Sequence, residues 1–590
     1  MEFLTEAKAK KAWFVGYNNV SFDGQIVEYL LENHQFLVDA DAITGYIYDR
    51  AQYLIELSNN KQFSPFSENK LSIKQLDLMK LNHYDSPVMK TSLKYLEFSM
   101  DFENIEEMPI HHTAIISTME EIETIISYCK NDVLATYTFY LKCIPQIKLR
   151  WELSKEYGLN LYNASEPRIS KELFLKFLSE KLNINKWELK GMRTHRDQIV
   201  LKDLIPEYIQ FETPEFKSVL NHFNNGVIKD ANEKYNYFLD VHNHTLSYGL
   251  GGIHSKIKKA SVVTEDDTYI IVDSDIKSMY PNIIINNNLA PAHLPTKDFN
   301  DLYKSLYERR IALPKSDPNN YVLKICLNSL YGLTKDANSF VYDPQTTVAT
   351  CIIGQLSLSM FIEMLIKKIP ETYIIQCNTD GITSRIPRDK KDLYFELVEK
   401  WEKITNLQFE HSYYKSCITP DVNNYLYTYT NGKTKCKGRF VFNNLPYHKD
   451  KSYMVVPKAI YEYFVNGVSP RAYLEKNHDI LDYCCGAKLK SPWFFEEHNI
   501  IKGELSIKKH QKLLRYYVSN NGSKLVKCHP DGRKIQAEAG RWLQTPMNQL
   551  IEKEWKEYNV DIKYYLDKIY NEINNIKPEV TRLGTQLSLF

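Results

Sequence analysis

The chain has 590 residues, 43% of them apolar and 42 of them tyrosine, and its 74 Lys and Arg against 73 Asp and Glu leave a net charge of +1. That length calls for several domains with ordinary globular cores, while the charge balance by itself gives no support for nucleic-acid binding. No run of about 18 apolar residues predicts a transmembrane helix, the N-terminus lacks the apolar core of a signal peptide, and ten scattered cysteines without a C-x-x-C argue for reduced thiols in a cytosol and against a zinc ribbon.

Taken in order, Trp13 to Gly24 reads as a strand and a loop, followed by a helix from Gln25 to about Glu32. Leu71 to Met79 is a second strand candidate. Ser117 to Tyr140 reads as a helix, with Ser117 and Glu120 in capping-box spacing. From Arg150 to about His242 the pattern is mostly helical and carries no chemical motif. Tyr248-Gly-Leu-Gly251-Gly252-Ile-His254 is rich in glycine, which lets backbone approach a ligand closely.

Tyr269 to Val272 is a β-rich apolar run that predicts a buried strand, with Asp275 just beyond it. A carboxylate there is costly unless a cation or hydrogen bonds hold it. Leu302–Leu313 and Asn319–Tyr331 read as the arms of a helical hairpin, with Pro318 suited to a first helical turn. Lys324, Asn328 and Tyr331 stand at i, i+4 and i+7, hence on one helical face, and Gly332 suits the stop. Tyr373 to Thr383 reads strand, tight turn, strand, with Asp380-Gly381 as the turn signal, so a second carboxylate sits at a hairpin tip. Ile501 to Trp542 carries ten Lys and Arg against three acids, a run that fits a surface gripping phosphate backbone. A helical segment, Met547 to Ile576, follows.

Three of these stretches together resemble motifs A, B and C of the family B DNA polymerases: Asp275-Ile-Lys-Ser-Met-Tyr280-Pro281, Lys324-Ile-Cys-Leu-Asn328-Ser-Leu-Tyr331-Gly332 and Asn378-Thr-Asp380. They occur in the family's order, and the likeness, closest to compact bacteriophage members, covers about residues 13 to 490. Asn19-x-x-Phe22-Asp23 and Tyr128-x-x-x-Asp132 resemble the second and third exonuclease motifs. Tyr248 to Gly252 resembles the segment that contacts template strand. Gly432 to Phe440 is loosely similar to the segment that steadies the primer terminus, with Lys435 and Lys437 as its basic candidates.

The resemblance implies an α/β multidomain chain: a partial RNase H-like exonuclease domain over 1–150, a helical linker over 151–242, palm over 243–300 and 333–455, short fingers over 301–332 and thumb over 456–590. It implies primer extension with dNTPs on template DNA by two-metal nucleotidyl transfer, in the cytoplasm of a phage-infected bacterium, with replisome proteins as further partners and no membrane. Asp275 and Asp380 would hold two Mg²⁺ ions roughly 3.5–4 Å apart. Arg309 and Lys324 would meet the triphosphate, Asn328 and Tyr331 would line the base-pair pocket, and Tyr280 would exclude a 2′-hydroxyl. Asp23 and Asp132 would hold cations for 3′ trimming, Tyr128 would orient the attacking water, and Asn19 and Phe22 would hold a frayed strand.

Two departures bear on these expectations. Asn378 stands where the family usually has an aspartate, which bears on rate rather than reaction. Only 18 residues precede Asn19 and none forms the family's D-x-E, so the exonuclease is expected to be impaired. Intact Asp275, Tyr280, Lys324, Asn328 and Asp380 speak against a non-catalytic DNA-binding remnant, and Tyr280 speaks against rNTP use.

Overall fold

A computed structural model describes residues 1–34, 39–110, 114–501 and 503–576. The chain is mixed α/β and divides into two compact units. Of the described residues, one comprises those within 1–169, 445–454 and 478–564; the other comprises those within 170–444 and 455–477 and residues 565–576. The expected thumb, 456–590, is therefore not one body, because its middle packs with the N-terminal residues. Lys502 of the basic run and residues 577–590 lie outside the described residues.

The second unit is built on an antiparallel sheet. Its strands run in the order Tyr373–Asn378, Gly381–Pro387, Tyr269–Ile276, Phe409–Asp421, Asn424–Tyr429, Thr434–Lys437, and Ser261–Thr264 also pairs with Phe409–Asp421. Strand Tyr269–Ile276 is hydrogen-bonded on both edges, to Gly381–Pro387 and to Phe409–Asp421. That double pairing carries the strand on through Asp273 and Asp275, past the point where its apolar run ends.

Alternation along this strand separates two environments. Ile270, Val272 and Ile276 join a core with Val348, Ile352, Leu365, Tyr394 and Trp401, while Ile271 joins Tyr414, Cys417, Tyr425 and Tyr427 on the other face. Helix Pro344–Lys368 runs through the first core and is long and apolar enough by composition to cross a membrane. Its apolar window is 94% buried within the protein, so it is a core helix.

The expected helical hairpin is present as Thr296–Ala312 and Pro318–Lys335. Pro318 opens the second arm, with Asp317 capping it through Asn319 N–H. Asn320 Nδ2 donates to the carbonyls of Arg310 and Leu313 at 2.9 and 2.8 Å and closes the corner. Gly332 does not stop the arm. The helix runs to Lys335, because Thr334 is held by the Tyr331 carbonyl and by Thr347.

In the first unit, Trp13–Gly16 pairs in parallel with Lys74–Asp77, a shorter strand than Leu71 to Met79. Helix Met119–Tyr157 is longer than expected and starts two residues later, its capping box shifted by one: Thr118 and Glu121, not Ser117 and Glu120, form it. The basic run is mostly strand, in a three-stranded sheet containing Leu513–Ser519 and a four-stranded one containing Phe494–Ile501 and Lys524–Cys528. The helix expected from Met547 begins only at Ile562.

Part of that run is structural. Arg515 is fully buried and donates to the carbonyls of Met547, Phe102, Glu103 and Asn548 at 2.7–3.2 Å. Lys524 donates to the Trp542 carbonyl and Lys534 pairs with Glu496. Replacing Arg515 by Met strands several buried carbonyls, so Arg515→Met should destabilise its unit by about 3 kcal/mol or more, read as a lowered urea midpoint for the near-UV signal.

Candidate active site

The register places the two motif carboxylates together. Asp275 pairs with Gly381 on one side and Glu410 on the other. Thr379 and Asp380 form the two-residue link between strands Tyr373–Asn378 and Gly381–Pro387, and the Asp380 carbonyl accepts from Ile276 N–H at 2.6 Å. Asp380 is thus one rung from Asp275. A Cβ at Gly381 would stand 2.0 Å from Asp275 Oδ1 and 3.0 Å from the Ser274 carbonyl oxygen, so any larger residue there displaces the Asp275 carboxylate.

The site is rich in negative charge. Asp275 keeps a 47% exposed side chain, yet its carboxyl is pushed up to about 7, first by loss of water and then by Asp273, with Asp380 and Glu410 adding to it and Lys435 pulling against it. Lys435 Nζ stands 3.4 Å from Asp273 Oδ2 and 3.7 Å from Asp275 Oδ2. Burial disfavours its charge, but the two aspartates outweigh burial and hold its pKa above the ordinary lysine value. Carboxylate oxygens crowded beyond what one ammonium neutralises fit a hard divalent cation.

Beside the carboxylates lies a cavity of about 640 Å³ lined by Tyr280, Lys324, Asn328, Tyr331, Asp380 and Glu410, with Lys277, Arg310 and Lys315 adding positive charge. Lys324 and Asn328 are exposed on the arm's cavity face, while Leu323, Leu327 and Leu330 bury the opposite face. The Tyr280 and Tyr331 rings stack with centroids 4.8 Å apart, and Cys351 Sγ lies 3.2 Å from the Tyr331 hydroxyl. Arg309 is not in the cavity lining; it is exposed and Arg310 takes the place expected of it. One residue is about 100° on a helix, and the sequence alone could not phase the arm.

The remaining expected DNA contacts divide. Tyr248 is 1% exposed, its hydroxyl 3.0 Å from Ser359 Oγ, and is a core residue. Gly251 is exposed with open space around it. Gly252 has φ +120° and packs on Thr379, so the glycine segment braces the turn that carries Asp380. Lys437 lies over the Tyr425 ring. Lys435 is paired with Asp273 and Asp275. Asp273, Glu410 and Arg310 were missed by motif reading. The alternation that puts Asp273 on the face of Asp275 was present in the sequence, whereas the Glu410 partnership needed the register.

The exonuclease-like residues form two groups in the first unit. Asn19 is 3% exposed, with Nδ2 donating to Gln75 Oε1 at 2.9 Å, so it is closed to a frayed strand. Its loop is pinned by the buried Asp77 carboxylate, which accepts from Asn18 and Val20 N–H. Phe22 is partly buried, and Asp23 opens the next helix at an exposed position. In the second group Lys94 pairs with Asp132 and with Glu97 and lies over the Tyr128 ring. An ammonium therefore already occupies Asp132.

A further group, Glu496, His498 and Cys528, brings three potential metal-ligand atoms within 4.8 Å of one another. They come from neighbouring strands, so no linear motif announced them. Glu496 is met by His498 at 2.8 Å and Lys534 at 3.0 Å, which satisfies its charge within the protein.

No protein-family model matches the chain, and no curated protein matches it.

Glu97 yields a pH dependence. Its fully buried carboxyl is raised to about 7 by desolvation, which Lys94 only partly opposes. Between the ordinary glutamate value, about 4.3, and pH 7 the folded chain holds a proton that the unfolded chain has released. The Glu97 contribution to stability therefore falls as pH rises through that window. Denaturant melts from pH 5 to 8 should show the wild type losing stability relative to Glu97→Gln as pH rises.

Proposed function

We propose that this chain is a DNA-dependent DNA polymerase that extends a primer 3′ end with dNTPs, in keeping with its resemblance to family B. The observation that carries the reading is the adjacency of Asp275 and Asp380 on neighbouring rungs, with Asp380 in the lining of a cavity that also gathers Lys324 and Arg310. A pocket lined by both carboxylates and cations suits a substrate that reacts at one phosphorus while its remaining phosphates are held.

In this reading Lys324 and Arg310 bind the triphosphate, lysine as a point charge and arginine as a planar fork. Lys277, just past the carboxylate strand, and Lys315 also line the cavity. Tyr280 sits under the sugar, and the stacked Tyr331 ring fixes its position, so a 2′-hydroxyl meets a wall rather than a void. Asn328, one turn from Lys324, faces the nascent base pair. Asp275 and Asp380 would hold two Mg²⁺ ions, which when bound neutralise the triphosphate and activate the attacking 3′-hydroxyl. Orientation of the primer end against the α-phosphorus supplies the rest of the acceleration. Phage origin, bacterial cytoplasm and replisome partners belong to the same proposal, through the family likeness alone.

Primer extension tests it. Asp275→Ala and Asp380→Ala should each lower the rate about a thousandfold or more. Unchanged extension in both refutes the reading. Arg310→Ala should raise the KM for dNTP about tenfold, while Arg309→Ala should leave it near the wild-type value. Tyr280→Ala should admit rNTPs. Since Lys94 already holds Asp132, trimming of single-stranded DNA should stay at background in the wild type and be indifferent to Asp23→Ala.

A further inference from the structure

Asp273 precedes Asp275 by two residues on the same strand, so both side chains leave the same face. It is 5% exposed, and a carboxylate so buried has to be satisfied from within. Oδ1 accepts from the Thr383 hydroxyl at 2.6 Å and Oδ2 from the Tyr414 hydroxyl at 2.9 Å. These neutral donors satisfy lone pairs but leave the charge. The charge is met by Lys435, whose ammonium is shared between Asp273 at 3.4 Å and Asp275 at 3.7 Å. Lys435 cannot withdraw with its backbone, since its strand is paired at Tyr427↔Lys435.

One ammonium fixed beside a carboxylate that is to bind a divalent ion is a competitor for it. How strongly it competes depends on what else attracts it. We propose that Asp273 is a positioning residue that tethers the Lys435 ammonium. The internal cation then steadies Asp275 without taking its oxygens from the divalent ion. With Asp273 neutral, Asp275 becomes the nearest anion to Lys435, and divalent binding has to displace a covalently attached rival. The inference rests on the polymerase reading for the identity of the site. It departs from a simple structural ion pair in one respect: removing the lysine should repair the loss of the aspartate.

The test uses the full chain with Mn²⁺ as probe, free Mn²⁺ being counted by electron paramagnetic resonance, alongside primer extension over a range of Mg²⁺ concentrations. Asp273→Asn should weaken Mn²⁺ binding about tenfold, adding Lys435→Gln should restore it to within about threefold of wild type, and Lys435→Gln alone should bind at least as tightly as wild type. Unaltered binding in Asp273→Asn, or no restoration in the double variant, overturns the proposal. If Asp273→Asn does not fold, Lys435→Gln decides alone, because weaker Mn²⁺ binding in it contradicts a tethered competitor. A wild type that loses Mn²⁺ on Asp275→Asn but extends no primer refutes the polymerase reading and leaves the tether standing. A wild type that extends primers and is indistinguishable from Asp273→Asn does the reverse. A wild type that binds no Mn²⁺ overturns both.

Discussion

Like charge held together by strand pairing is the constraint on which the second unit depends. Asp273, Asp275, Asp380 and Glu410 are brought into one neighbourhood by backbone hydrogen bonds that would form equally well with neutral side chains. Their repulsion is a cost that the sheet and its cores have to absorb. The double-edged pairing of Tyr269–Ile276, the buried helix Pro344–Lys368 and the aromatic cluster around Tyr414 and Tyr427 give the strand little freedom to relieve it. Carboxylates crowded in this way are suited to bind positive charge, and that is how the fold and the proposed chemistry connect.

The surrounding features follow from the same need. Gly381 leaves room for the Asp275 carboxylate, and Gly252 lets backbone pack on Thr379 behind the turn. Lys435 supplies partial compensation from within the sheet. Three of the cavity's cations, Arg310, Lys315 and Lys324, come from the helical hairpin and its corner, while Lys277 follows the carboxylate strand itself. Cations and carboxylates lining one cavity suit a ligand that carries phosphates and metal together.

The first unit uses its ionisable groups differently. Lys94 is divided between Asp132 and Glu97, Asp77 is spent on holding the loop that carries Asn19, and Arg515 ties together four backbone carbonyls. Residues that would be reactive or DNA-facing in an open site serve as internal braces here. Spacing specifies which side chains can meet, and burial decides whether anything else can reach them.

Local rules were enough for several features. Period-2 and helical spacing, proline at a first turn and the Asp-Gly turn signal located the carboxylate strand, the hairpin tip at Asp380, both arms of the helical hairpin and the shared face of Lys324, Asn328 and Tyr331, since each depends on neighbours within a few residues. Phase and partnership were decided by the tertiary structure alone. It substituted Arg310 for Arg309, buried Tyr248, carried the strand through Asp275, set Glu410 beside it and committed Lys435 to Asp273. Each of these depends on which distant segment packs where, a matter of register and burial between residues up to 162 positions apart, and no periodicity within a segment encodes it.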